Sequence, residues 1–384
     1  MVNMTLVKAK RGVKAVGTGF LPLDLVYRDD NPSKLQAYAG GTCGNVLIIL
    51  AFLGWDVYPI ARHNDSPLAR IIKDDFRLWG AHLDFASLEP TALPPVVVQR
   101  IFAKPRGART HSFSWACPGC GAHLPSFKPV PAKSILEISD RLPNMQIFFF
   151  DRVSRSALDL ANRCAQSGGI VVFEPSMIAD PRLFSEAINL SHVFKYSQDR
   201  LSDVHEIRGT AEPLLEIETL GSAGLRYRRR GRVWKEVNGF SIRRTVDTSG
   251  AGDWCTAGIL HMLCQEGISG LKRATDQETL SAVRLGQSMA AWTCQFEGAR
   301  GGMYGVEWAA WKKAILKIIQ SGRTVEQTTS QSVRVCPEVL LDVCRPASGD
   351  QAAHAPRVPH FAEYQVCTTL WPGRDVGKAL SQRT

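Results

Sequence analysis

The 384-residue chain is poor in the features that would settle its class quickly, and each absence excludes something. Its longest uninterrupted apolar run, Val46–Leu53, is far shorter than the roughly 20 residues a spanning helix needs. The opening Met-Val-Asn-Met-Thr-Leu-Val-Lys-Ala-Lys has no apolar stretch of signal-peptide type, so a cytoplasmic, reducing location without a membrane partner is the expectation. Ten Cys are too few for a disulfide scaffold, and in such a location they are read as thiols or metal ligands before disulfides. Charged residues make up 21% and hydrophobic ones 45%, a balance that excludes disorder throughout. No HExxH stands among the nine His, and no internal repeat is visible. Gly17-Thr-Gly19-Phe-Leu-Pro22 falls short of a dinucleotide fingerprint because Pro22 replaces the third glycine. Gly373–Lys378 echoes a Walker A loop with the wrong spacing and no preceding strand.

What is present is alternation. Short strand-like segments at Lys14–Gly17, Val57–Arg62, Gln146–Phe150, Gly169–Phe173, Leu214–Leu220 and Arg243–Val246 are interleaved with helix-period stretches. The helical stretches are Gly44–Leu53, Pro67–Gly80, Ser156–Ser167, Pro181–Asn189, Trp254–Glu266, Glu278–Gln295 and Glu307–Ile319. Nearly continuous apolar strands fit a sheet buried on both faces, so the expected class is α/β with a mostly parallel central sheet in three layers. Thr91–Arg109 alternates and reads as a hairpin outside that sheet. Residues 1–322 are expected to form the body, with the hairpin at about 91–112 and a Cys-containing insertion at about 113–125. Residues 323–384, polar and then Pro-, Ala- and Gly-containing, are expected to form an irregular or disordered tail.

The sharpest local signal is Asp247-Thr248-Ser249-Gly250-Ala251-Gly252-Asp253, read as following a strand and opening an apolar helix. Two glycines around a small residue let successive backbone N–H groups face one concavity, and the helix adds its positive end, making an anion site. Asp253 at a helix start is ordinarily a cap. Beside an anion hole, its carboxylate has a chemical use: taking a proton from an attacking hydroxyl in phosphoryl transfer.

This segment resembles the second signature of the ribokinase-like (PfkB) carbohydrate kinase family, and the likeness covers about Ala15 to Gly302. Gly40-Gly41-Thr-Cys-Gly-Asn45 is similar to the family's glycine-rich first signature, with Arg62-His-Asn-Asp65 following in the expected order. The glycines allow close backbone approach, and Asn45 offers a donor and an acceptor to vicinal hydroxyls. The resemblance implies a small β lid, formed by the hairpin, over a sugar or nucleoside gripped by Asp24, Gly40, Gly41 and Asn45. It implies Asp253 as base, with the Gly250, Ala251 and Gly252 amides stabilising the transferring phosphoryl group. It places Thr219, Gly221, Gly224, Asp247, Thr248, Ser197, Arg200 and Gln287 on the nucleotide side. ATP, Mg²⁺ and a monovalent cation near Gly298-Ala299 are the implied cofactors, and a homodimer through the lid is the implied assembly.

Two departures stand out. Where the family has NxxE, whose acid organises Mg²⁺ waters, the chain reads Ser197-Gln198-Asp199-Arg200, leaving Asp199 or Glu174 to take over the metal. Cys117-Pro-Gly-Cys120-Gly-Ala-His123 is half of a zinc knuckle. His123, His111, Cys336 and Cys344 are candidates to complete it; a redox dithiol and two unpaired thiols are the rival readings. The alternative function is a ribokinase-fold protein that binds its ligand without turnover. Nucleic-acid binding ranks last, because no helix-turn-helix, RRM or basic-aromatic block accompanies the net charge of +10. Nearly all of that charge lies in the body, where Arg226–Arg232 and Arg243-Arg244 suggest basic surroundings for a polyphosphate.

Overall fold

Runs of aromatic and β-branched residues alternate with helices along the residues described by this computed structural model: 6–86, 89, 92–106, 109–118, 121–142, 144–201 and 204–324. The chain begins with β1 (Lys14–Thr18), β2 (Leu23–Arg28), β3 (Asn31–Ala39), α1 (Thr42–Phe52), β4 (Asp56–Ile60), α2 (Pro67–Leu78), β5 (Val96–Arg106) and β6 (Arg109–Ser114). There follow α3 (Ile135–Arg141), β7 (Ile147–Phe150), α4 (Arg155–Gln166), β8 (Ile170–Phe173), α5 (Pro181–Leu190), β9 (Val193–Ser197) and α6 (Val204–Ile207). The last elements are β10 (Leu215–Thr219), β11 (Gly224–Arg229), β12 (Lys235–Asn238), α7 (Ala251–Leu263), α8 (Gly267–Arg273), α9 (Asp276–Thr293) and α10 (Trp308–Ser321).

Eight strands form the main sheet in the order β12-β11-β10-β9-β8-β7-β1-β4. It is parallel from β10 to β4, and β11 and β12 complete one edge antiparallel. The reason lies in β7 and β8, Ile-Phe-Phe-Phe and Ile-Val-Val-Phe, which are buried at every position. Their alternate side chains go to opposite faces. Phe149 and Val172 pack with α1, α7, α9 and α10, whereas Phe148, Phe150, Val171 and Phe173 pack with α3, α4 and α5. This makes the expected three layers. Helix starts are secured locally, as by the Thr275–Glu278 capping box of α9.

The second sheet, β3-β2-β5-β6, differs from expectation in composition. β5 and β6 pair antiparallel, as the hairpin reading expects, but the pairing runs on to Ser114, beyond Thr91–Arg109. Two further strands, β2 and β3, were not anticipated. β2 begins with an Asp in its second position and β3 contains Pro32, so neither carries a clean period-two pattern. Register places Asp24, Tyr38, Val97, Gln99, His111 and Phe113 on one face of this sheet.

Two other expectations are corrected. Arg243–Val246 forms no strand: Val246 N bonds Cys294 O at 2.9 Å, and the two exposed arginines have no partner strand. Arg323 and Thr324, assigned to the tail, are tied to the body. Thr324 is buried, its N bonds Ser241 O at 2.8 Å, and its hydroxyl accepts from Arg243 N at 3.0 Å. Residues 325–384 lie outside the described residues. Among the described residues, no helix is long and apolar enough to cross a membrane.

Candidate active site

In an open parallel sheet, ligands gather beyond the carboxyl ends of the strands. Those ends carry Gly19 after β1, Asp151 after β7, Glu174 after β8, Ser197 closing β9 and Thr219 closing β10. The N-termini of α1 and α7 converge on the same edge, since Asn45 in α1 donates from Nδ2 to Asp253 Oδ2 in α7 at 2.7 Å. Two helix starts therefore direct positive dipole ends into one place.

The turn before α7 is held from below. Asp247 is fully buried and accepts from Ser249 N at 3.0 Å, Ser249 Oγ at 2.8 Å, Gly298 N at 2.9 Å, Gln99 Nε2 at 2.7 Å and His111 Nδ1 at 3.0 Å. Burial works against its charge, but the His111 and Ser249 hydrogen bonds hold it below the ordinary carboxylate range. Asp247 thus acts on any anion through the turn it shapes. Gly250 caps the helix at φ 73°, and a Cβ there would lie 2.5 Å from Ala299 O, so only glycine fits. Thr248, exposed, meets Thr110 Oγ1 at 3.0 Å. The second sheet is therefore tied to this turn by Gln99, Thr110 and His111. His111, weighed as a zinc ligand on sequence grounds, instead faces Asp247.

Asp253 is buried in the first turn of α7, while its neighbour Gly252 is exposed. Burial, reinforced by the Glu174 carboxylate, lifts its pKa to about 7; Asn45, Lys195 and Arg200 pull the other way. A carboxyl that changes charge near neutrality is suited to exchanging a proton with a hydroxyl. On the other side, Asp24 sits over Gly40, where a Cβ would fall 1.8 Å from Asp24 Oδ2. Burial raises Asp24 to about 7 against the pull of Arg300 and the Gly41 N–H. Asp24, Tyr38, Asn45 and Arg300 line a small hollow between the second sheet, the start of α1 and the turn at Gly298–Gly301.

Of the two carboxylates expected to organise Mg²⁺, Asp199 is exposed on the turn after β9 and Glu174 is engaged within the fold. Glu174 spends Oε1 on the buried Lys195 ammonium and Oε2 on Thr256 Oγ1 at 2.5 Å. Lys195 also reaches Gly252 O at 3.3 Å. The family's acid position carries Arg200, exposed on the turn after β9, with a charge that Asp253 feels. Among the described residues, no three His, Cys, Asp or Glu side chains gather as metal ligands.

The remaining positions distribute as follows. Thr219 Oγ1 donates to Tyr196 O at 3.3 Å, pinning the end of β10 to β9, and Gly221 and Gly224 shape the turn into β11. Gln287 is buried and donates to Val237 O at 3.0 Å, holding β12 to α9. Part of the charge of the Arg226–Arg232 cluster is paired within the fold. Arg226 pairs with Glu218, Arg228 and Arg208 share Glu216, and Arg229 and Arg230 donate to backbone carbonyls. Trp234 lies against the guanidiniums of both Arg226 and Arg228. Cys117 is buried in a tight turn, its N bonding Ala122 O at 2.8 Å, and His123 is exposed. Cys120, Cys336 and Cys344 lie outside the described residues.

Three residues of the site escaped sequence reasoning: His111 as a partner of Asp247, Arg300 and Lys195. Only Lys195 left a trace, a lone ammonium in the otherwise apolar Val-Phe-Lys-Tyr of β9.

Comparison with known proteins identifies the family. The model of the pfkB family of carbohydrate kinases matches residues 18–303. A fructokinase of Klebsiella pneumoniae is 26% identical over 262 residues, covering 62% of this chain and 81% of its own length. Among solved structures, aminoimidazole riboside kinase from Salmonella enterica, complexed with aminoimidazole riboside and an ATP analog, has a TM-score of 0.57 at 19% identity. It covers 74% of this chain and 95% of its own. The Burkholderia thailandensis nucleoside kinase in complex with inosine reaches 0.61 at 16% identity, covering 80% and 97%. Fructokinase from Vibrio cholerae O395 with fructose, ADP and calcium ion reaches 0.57 at 18%, covering 75% and 94%. These structures share the fold, and the match over residues 18–303 settles the family: the chain belongs to the pfkB family of carbohydrate kinases.

Proposed function

We propose that this pfkB-family phosphotransferase moves the γ-phosphoryl group of ATP to a hydroxyl of a sugar or nucleoside. Asp253 is the base, and the Gly250, Ala251 and Gly252 amides receive the charge of the transferring group. The observation that carries this reading is Asp253 itself: a buried carboxyl raised to about 7, one residue from the exposed Gly252 of a pinned anion turn.

The substrate hydroxyl lies between Asp24 and Asp253, and its proton passes to Asp253 as its oxygen bonds the γ-phosphorus. The bond from that phosphorus to the bridging oxygen breaks, and the electron pair leaves with ADP. Positioning and charge stabilisation supply most of the acceleration in such a transfer. The Lys195 ammonium lies under the turn, and Arg200 supplies a donor fork suited to phosphate oxygens. The fructokinase and nucleoside kinase relatives support a sugar or nucleoside as acceptor. Cys117 and Cys120 are proposed as half of a structural zinc site, for which elemental analysis is the test.

Binding without turnover is the second reading, favoured by Arg200 at the acid position and by the occupied Glu174. ADP release across a panel of sugars and nucleosides separates the two. Release with one acceptor supports the kinase, and binding of that acceptor without release supports the alternative.

A further inference from the structure

Arg300 is buried between the sugar hollow and the base, and it belongs to no motif by which the site was recognised. Its guanidinium forks in two directions. Nε donates to Asn45 Oδ1 at 3.0 Å, and Nη2 donates to Asp75 Oδ2 at 2.7 Å and to Ala39 O. Asp75 is in turn held by Tyr304 Oη at 2.8 Å and by Ala39 N at 3.2 Å. With Asn45 Nδ2 on Asp253, a chain of buried groups runs Asp75–Arg300–Asn45–Asp253.

The chemistry of this chain permits one orientation of the Asn45 amide. Guanidinium has only donors, so it must face the amide oxygen, and this leaves the amide N–H₂ for the Asp253 carboxylate. Rotated by 180°, Asn45 would set N–H against N–H and oxygen against oxygen. An isolated Asn could instead turn its oxygen to a substrate hydroxyl, and Asp253 would lose its only side-chain hydrogen bond among the described residues.

We propose that Arg300 is a positioning residue for the base: it locks the Asn45 amide so that Asn45 donates to Asp253 throughout turnover. This rests on Asp253 being the base. The hydrogen bond from Asn45 favours the ionised carboxylate, as do Lys195 and Arg200, against burial and Glu174. Releasing the lock therefore makes Asp253 harder to ionise. The same cation lies near Asp24, so it serves both ends of the acceptor.

The test compares Arg300→Lys with Asp75→Asn. Lysine keeps the charge but cannot fork to Asn45 and Asp75 together, whereas Asp75→Asn weakens the ion pair and leaves the Nε–Oδ1 bond in place. Arg300→Lys is expected to move the acidic limb of kcat/KM to higher pH and to lower kcat about tenfold or more at pH 7. Asp75→Asn is expected to lower the thermal midpoint with the limb unmoved. Titration of Asp253 by carboxyl carbon NMR in the full chain reads the same shift without turnover, so failure of the kinase reading is told apart from failure of the lock. If Arg300→Lys does not fold, Asn45→Ser must show the upward shift and Asp75→Asn must not. An unmoved Asp253 titration in Arg300→Lys, or equal shifts in Arg300→Lys and Asp75→Asn, overturns the proposal.

Discussion

Asn45 and Asp253, far apart in sequence, meet at 2.7 Å where the starts of α1 and α7 converge. This bond joins the residue expected to hold sugar hydroxyls to the residue expected to take a proton from one. Asn45 also opposes the burial that raises Asp253, leaving it near 7 rather than higher. The consequences can be measured.

The rate should follow the ionisation of Asp253. Only the carboxylate accepts a proton, so kcat/KM is expected to be level above pH 7 and to fall about tenfold per pH unit below it. Arg200 favours the ionised form, so Arg200→Ala should move this limb upward. A pH–rate profile of both proteins checks the sign.

Stability should show the cost of that carboxylate. Asp253 is raised in the fold from an ordinary 3.8 to about 7, so the fold binds its proton more tightly than the unfolded chain does. The associated stability is present at low pH and is lost as pH rises through 7. Asp253→Asn should therefore stabilise the protein at pH 8, by about 1–3 kcal/mol, and do little at pH 4. Chemical denaturation at the two pH values checks this.

Gly250→Ala should damage fold and site together. The φ of 73° and the 2.5 Å approach to Ala299 O force the turn to shift, at about 1–3 kcal/mol. A lower thermal midpoint with weakened ATP binding is the expected pair of results.

Arg200→Ala should weaken ATP binding about tenfold, the loss of a charge-assisted contact, with little change in thermal midpoint because Arg200 is exposed. Titration of ATP into the two proteins measures both effects. Equal affinities would remove Arg200 from the phosphate site.

The central strands and the turn from Asp247 to Asp253 were legible because their signals are local: continuous apolar tetrads, and glycines at fixed spacing before a helix. β2 and β3 were not, since Asp24, Arg28 and Pro32 interrupt their pattern, and they are held by pairing with each other and, for β2, with the distant β5. Gln99 and His111 gave no sign of tying the second sheet to that turn, because their partner Asp247 lies far along the chain. The partners of Arg226 and Arg228 were hidden for the same reason: Glu218 and Glu216 are identifiable only once β10 pairs with β11. The Glu174–Lys195 pair likewise depends on β8 and β9 being neighbours.

The most direct test of Asp253 as base is single-turnover transfer of labelled γ-phosphoryl from ATP to the acceptor that releases ADP, in wild type and Asp253→Asn at pH 8. The expected result is transfer by the wild type and a loss of about 10²–10⁴-fold in the variant, with acceptor binding retained. Transfer by Asp253→Asn at the wild-type rate, or acceptor binding to the wild type with no transfer at all, would contradict it.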